Sequence, residues 1–107
     1  MDKSYYAIIP ASVRYDKNLS ANSKLLYGEI TALCNEKGYC WANNAYFSHL
    51  YQVSNRTITN WVNELKMAQH VVVNYEKTDG YSKRYIMLSD TNVFLKGRVR
   101  KKISYTT

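Results

Sequence analysis

The sequence predicts a single α+β domain in which an opening strand is followed by three helices and a β-hairpin. Three observations predict it. The spacing of apolar residues is strand-like at Tyr5–Ile9, takes helical steps between residues 21 and 67, and becomes strand-like again from Val71. Each helical stretch follows a residue that caps helix starts, namely Ser20, Asn43 or Ser54. Between the two closing β-rich runs stands Thr78-Asp79-Gly80, a tight-turn signal. A chain of 107 residues suits one core of this kind.

Taken in order, Tyr5-Tyr6-Ala7-Ile8-Ile9 reads as a strand because aromatic and β-branched residues suit a pleated surface, and Pro10 ends it at a sheet edge. Ser20 then caps a helix over 21–36, with Leu25, Leu26, Ile30, Leu33 and Cys34 at three- and four-residue steps and Gly38 as its stop. Asn43 caps a shorter helix that turns Tyr46, Phe47 and Leu50 inward and ends near Tyr51. After Gln52 and Val53, Ser54 caps a third helix over 55–67, whose inner stripe is Ile58, Trp61, Val62 and Leu65. Val71–Tyr75 and Arg84–Leu88 form the hairpin. The domain spans residues 1–90, and residues 91–107 form a basic tail.

The net charge is +7, from 15 Lys and Arg against 8 Asp and Glu, with most of the excess after residue 75. The tail run Lys96-Gly97-Arg98-Val99-Arg100-Lys101-Lys102 holds five of the positive charges. Such asymmetry favours a polyanionic partner, nucleic acid before anionic lipid. No apolar stretch approaches the ~20 residues of a membrane-spanning helix, and no signal segment opens the chain, so a cytoplasmic location without a membrane partner is expected. Cys34 and Cys40 lack the spacing of a redox or zinc motif and are expected as reduced thiols. No cofactor or metal is expected, and no Ser/His/Asp grouping or carboxylate pair points to catalysis.

Two helices joined by a short turn, with a hairpin just beyond, describe a winged helix-turn-helix. Ser48 stands where the two helices need a small residue, Gln52 where the turn usually has glycine, and Val53-Ser54 where the second helix opens. Gln52 therefore enters the turn at a steric cost. At about 100° per residue, the inner stripe of the third helix leaves Arg56, Thr59, Asn60 and Asn63 facing outward. Arginine suits guanine and asparagine suits adenine in a major groove. Ser54, Asn55 and Thr57 lie at the helix N-terminus, where free N–H groups favour phosphate, although Ser54 also serves as a cap. At the hairpin, Lys77, Tyr81, Lys83 and Arg84 are candidates for contact with the backbone or minor groove. Tyr81 and Tyr105 are candidates for stacking on bases, which keeps single-stranded binding open.

Tyr5-Tyr6-Ala7-Ile8-Ile9-Pro10, Leu25-Leu26-Tyr27, Asn35-Glu36-Lys37-Gly38-Tyr39-Cys40-Trp41 and Val53-Ser54-Asn55-Arg56-Thr57-Ile58 together resemble the N-terminal winged-helix domain of phage and plasmid replication initiators, the replisome organisers of Gram-positive bacteria. The resemblance spans roughly residues 5–88 and implies binding to double-stranded DNA at a replication origin. Members of that family usually continue into a second domain that contacts replication proteins. The chain therefore reads as a fragment or a stand-alone binder. A transcriptional repressor of the same fold, a single-stranded DNA binder and a protein-interaction module are the competing readings. A homodimer on repeated or palindromic sites is also expected, because one recognition helix covers few base pairs.

Overall fold

A computed structural model describes residues 6–89. Its elements in chain order are α1 (Ala11–Arg14), α2 (Ala21–Lys37), α3 (Asn44–Tyr51), α4 (Asn55–Met67), β1 (Val71–Thr78) and β2 (Tyr81–Leu88). Helices and a two-stranded antiparallel hairpin around one core make an arrangement compatible with a winged helix-turn-helix. The tail from residue 91, with its Lys96–Lys102 run and Tyr105, lies outside the described residues.

The three capping residues act as the sequence predicts. Ser20, Asn43 and Ser54 adopt extended backbone, and their side chains accept the N–H of Ser23, Tyr46 and Thr57, respectively. Gly38 ends α2 in the left-handed region at φ 84°, where its N–H reaches the Cys34 carbonyl. The buried face of α2 is Leu26, Tyr27, Ile30, Leu33 and Cys34, and it meets Phe47, Ile58, Val62 and Leu65 from α3 and α4. Leu25, expected on that face, lies a helical step away from it and is 54% exposed.

The expected opening strand is corrected by the structure. Residues 6–10 carry no strand and lie outside the sheet. They pass over α2 instead, where the Ile8 N–H donates to Thr31 Oγ1 at 3.3 Å. A Cβ on Gly28 would stand 2.9 Å from Ala7 Cβ, so glycine permits this close passage. Pro10 does not close a strand but opens α1, because its carbonyl accepts the N–H groups of Val13 and Arg14. The strand-like contact outside the hairpin comes from Cys40, which exchanges backbone hydrogen bonds of 2.7 and 3.0 Å with Ile86 of β2.

The hairpin runs in register from Val71↔Leu88 to Thr78↔Tyr81 and is longer than the apolar runs alone indicated. Its two-residue loop, Asp79-Gly80, has positive φ at both positions (50° and 86°), as a right-twisted hairpin requires. Side chains alternate across the ribbon. Val71, Val73, Leu88 and Ile86 therefore share the face that meets the core, and Tyr75, Arg84, Lys77 and Ser82 continue that face towards the tip.

Candidate nucleic-acid interface

The turn between α3 and α4 is closed by backbone geometry. Gln52 takes a left-handed conformation at φ 60°, ψ 46°, and its N–H and that of Val53 both reach the Ser48 carbonyl. The Gln52 side chain also donates to the His49 carbonyl at 2.8 Å, which offsets part of the strain. Ser48 turns its own hydroxyl back to Ala45 O. Val53 packs against the core, and Trp61 of α4 meets Tyr51 of α3 edge to face at 5.9 Å. These contacts hold α4 at a fixed angle to α3.

A second anchor holds α4 against α2. The carboxylate of Glu64 accepts the Ser20 N–H at 2.7 Å, the Ser23 hydroxyl at 2.9 Å and the Ser20 hydroxyl at 3.2 Å. A side chain of α4 thus completes the cap of α2. Burial acts to raise the Glu64 pKa, but the Ser20 N–H and the two hydroxyls outweigh it and hold the carboxyl below its ordinary value.

With Ile58, Val62 and Leu65 buried, α4 presents Asn55, Arg56, Thr59, Asn60 and Asn63 to solvent, the orientation the helical wheel predicts. Lys66 extends the same row. Its three-residue step beyond Asn63 was a sequence signal for including it among the candidates. Thr57 is half-buried and hydrogen-bonded to Ser54, whose hydroxyl serves as the cap. Asn60 and Asn63 border a shallow surface depression with Asn18 and Met67. No carboxylate stands on the row from Asn55 to Lys66 apart from Glu64, which is engaged with α2.

The hairpin candidates separate. Lys77, Tyr81 and Lys83 are exposed near the loop, but Lys77 lies on the ribbon face that carries Tyr75 and Arg84, whereas Lys83 and Tyr81 lie on the other. Arg84, expected among the hairpin contacts, is turned inward. It donates to Asn44 Oδ1 at 2.7 Å and Ala42 O at 3.0 Å, and its Nε is buried without a hydrogen-bond partner. Burial lowers its pKa, with Tyr75 and Cys40 acting in the opposite direction. The guanidinium stays charged at neutral pH. Thr59, expected to face DNA freely, also has partners, since it accepts from Asn44 Nδ2 at 2.9 Å and donates to Asn55 O at 3.1 Å. Asn44 and Glu64 carried no sequence signal of these roles because their partners lie on distant elements.

Both cysteines are buried thiols outside any disulfide, and burial pushes the Cys40 thiol up to about 11, so it stays protonated at neutral pH. Among the described residues, no group of three or more His, Cys, Asp and Glu could hold a metal ion, and no helix is long and apolar enough to cross a membrane.

Residues 17–71, half of the chain, match a helix-turn-helix domain family; the matched span runs through α2, α3 and α4 and stops at the first residue of β1. No curated protein and no solved structure matched the chain. The family match coincides with the α3–turn–α4 geometry, and on both grounds the chain belongs to the helix-turn-helix domain family of DNA-binding modules.

Proposed function

We propose that this protein is a sequence-specific binder of double-stranded DNA, with α4 as the recognition helix and the hairpin as a wing. The observation that carries the reading is the outward row of α4, where Arg56, Asn60 and Asn63 are exposed on a helix anchored on both sides. Arg56 offers a bidentate fork to guanine, and the two asparagines offer paired donor and acceptor groups to adenine. Ser54, Asn55 and Thr57 place the N-terminus of α4 against phosphate. Lys77, Lys83 and Tyr81 add sequence-independent contacts from the hairpin. It is a binding function without a catalytic step.

The biological setting we propose is initiation of replication at a phage or plasmid origin, supported by the resemblance in Tyr5–Pro10, Asn35–Trp41 and Val53–Ile58 to replication initiators. The same α4 face would serve a promoter-bound repressor equally well. Two copies on a repeated or palindromic site would extend the few base pairs one helix reads. Replication proteins are the further partners expected at an origin.

Selection from random duplex oligonucleotides tests the reading. We expect an enriched motif, recurring as two half-sites, bound about 10³-fold more tightly than unrelated duplex, with the preference persisting as salt rises. Failure to enrich any motif, or equal retention of single strands, would reject it. For the setting, altered plasmid copy number with an unchanged promoter reporter supports the origin role, and the reverse supports repression.

A further inference from the structure

The structure assigns to Arg84, Asn44 and Thr59 the role of a hydrogen-bonded latch that fixes the hairpin against α4, so that Arg84 sets sequence discrimination as a positioning residue without touching DNA. This inference rests on the DNA-binding reading above. The geometry is a directional chain: Arg84 donates to Asn44 Oδ1 at 2.7 Å, Asn44 Nδ2 donates to Thr59 Oγ1 at 2.9 Å, and Thr59 donates to the Asn55 carbonyl at 3.1 Å. Each polar group uses its only chemically allowed sense, because arginine has no acceptor and the Asn44 amide must present oxygen to Arg84 and NH₂ to Thr59. A second guanidinium nitrogen binds Ala42 O at 3.0 Å, in the segment leading into α3. One side chain of β2 is thereby bonded to the start of α3 and, through it, to the recognition helix.

The position of Arg84 explains why a latch is needed there. Packing holds the base of the hairpin, where Val71, Ile86 and Leu88 are buried and Cys40 bridges Ile86. Beyond Ile86 the ribbon projects as two strands, and a two-stranded ribbon has little stiffness of its own. Arg84, opposite Tyr75, is the first core-facing residue past that packed base. It borders a cleft of about 90 Å³ between α4 and the hairpin, together with Thr59, Asn63, Lys66 and Tyr75. Two of its nitrogens donate to neutral oxygens, so these bonds are charge-assisted while the arginine remains half-buried. On a selected site the backbone contacts of the hairpin and the base contacts of α4 must be made together, which needs the two surfaces held to a fraction of an ångström, and the latch joins them.

The test uses the full chain, the duplex it selects and a random duplex, with binding measured across a salt series for wild type, Arg84→Gln, Thr59→Val and the double variant. Thr59→Val replaces the hydroxyl with a methyl group of similar size at an exposed position, so it provides a folded variant if Arg84→Gln unfolds. Circular dichroism sets a temperature at which the compared variants are folded. The latch predicts that Arg84→Gln weakens the selected site about tenfold, the random duplex by less than about twofold, and leaves the salt slope unchanged. Thr59→Val should shift the same ratio in the same direction, with the double variant no worse than Arg84→Gln alone. Equal weakening on both duplexes with a salt slope reduced by about one would make Arg84 a phosphate contact and overturn the latch. Multiplying losses in the double variant, or an unchanged ratio in Thr59→Val, would overturn it as well. If wild type selects no duplex, the DNA-binding reading falls and the latch falls with it; if wild type selects and the variants match it, the latch alone falls.

Discussion

Gln52 holds the helix-turn-helix corner at φ 60°, a conformation that glycine enters freely and other residues adopt at a cost of roughly 1–2 kcal/mol. Gln52→Gly removes that strain but forfeits the bond to His49 O and adds freedom to the unfolded chain. The net expectation is a gain of about 0.5–1 kcal/mol, read as a higher denaturant midpoint at unchanged slope. A lower midpoint would show that the side-chain bond outweighs the backbone strain. The departure from glycine at this position was legible from the spacing of the two helices and their turn, and the outward row of Arg56, Thr59, Asn60 and Asn63 was legible from helical periodicity. The engagement of Arg84 and Thr59 was not legible. Arg84 lies 40 residues from Asn44, and nothing local distinguishes a cation on a hairpin edge from one turned under it.

At the scale of elements, α2, α3 and α4 were legible to within a residue because capping side chains and apolar spacing agree at each. The first segment was misread for a physical reason. Tyr6–Pro10 has strand composition, but its hydrogen bonds go to the Thr31 side chain and it packs over Gly28, contacts that depend on tertiary placement rather than propensity. One-turn α1 was missed because a single turn carries no periodicity.

The cap of α2 by Glu64 gives a test at the same scale. The folded-state pKa of Glu64 lies below its ordinary 4.5, so its stabilising contribution is fully present above that value and is lost as pH falls through the depressed one. Asp16, lowered from 3.8 by its hydrogen bond to His70 at 2.8 Å and by the Asn18 N–H, acts in the same sense. Glu64→Gln should cost about 1 kcal/mol at neutral pH. It should also make the acid decline of the thermal midpoint shallower than in wild type. An acid limb identical to wild type would show that Glu64 does not carry the cap.

For the whole molecule, the α+β order with a closing hairpin was legible, whereas the docking of the hairpin onto the helices was not. Apolar alternation predicts the two strands, yet the bridge from Cys40 to Ile86 and the Arg84 contacts decide where the ribbon points. That placement matters for function. It sets Lys77 on the ribbon face of Tyr75 and Arg84 and sets Lys83 on the opposite face, so the two lysines would meet different parts of a bound duplex. On the proposed reading, the +7 charge favours any polyanion, and discrimination between duplexes falls to the row on α4.

The most direct measurement is a scan of every single base-pair substitution in the selected duplex, with dissociation constants determined for wild type, Arg56→Ala and Lys83→Ala. Wild type should lose about 1–3 kcal/mol at each position it reads. Arg56→Ala should bind the selected site about 1–3 kcal/mol more weakly and become indifferent to the base pair at one of those positions, while Lys83→Ala weakens every duplex alike and keeps the pattern. A wild-type profile flat across all positions, or identical uniform losses in both variants, would contradict base reading by α4.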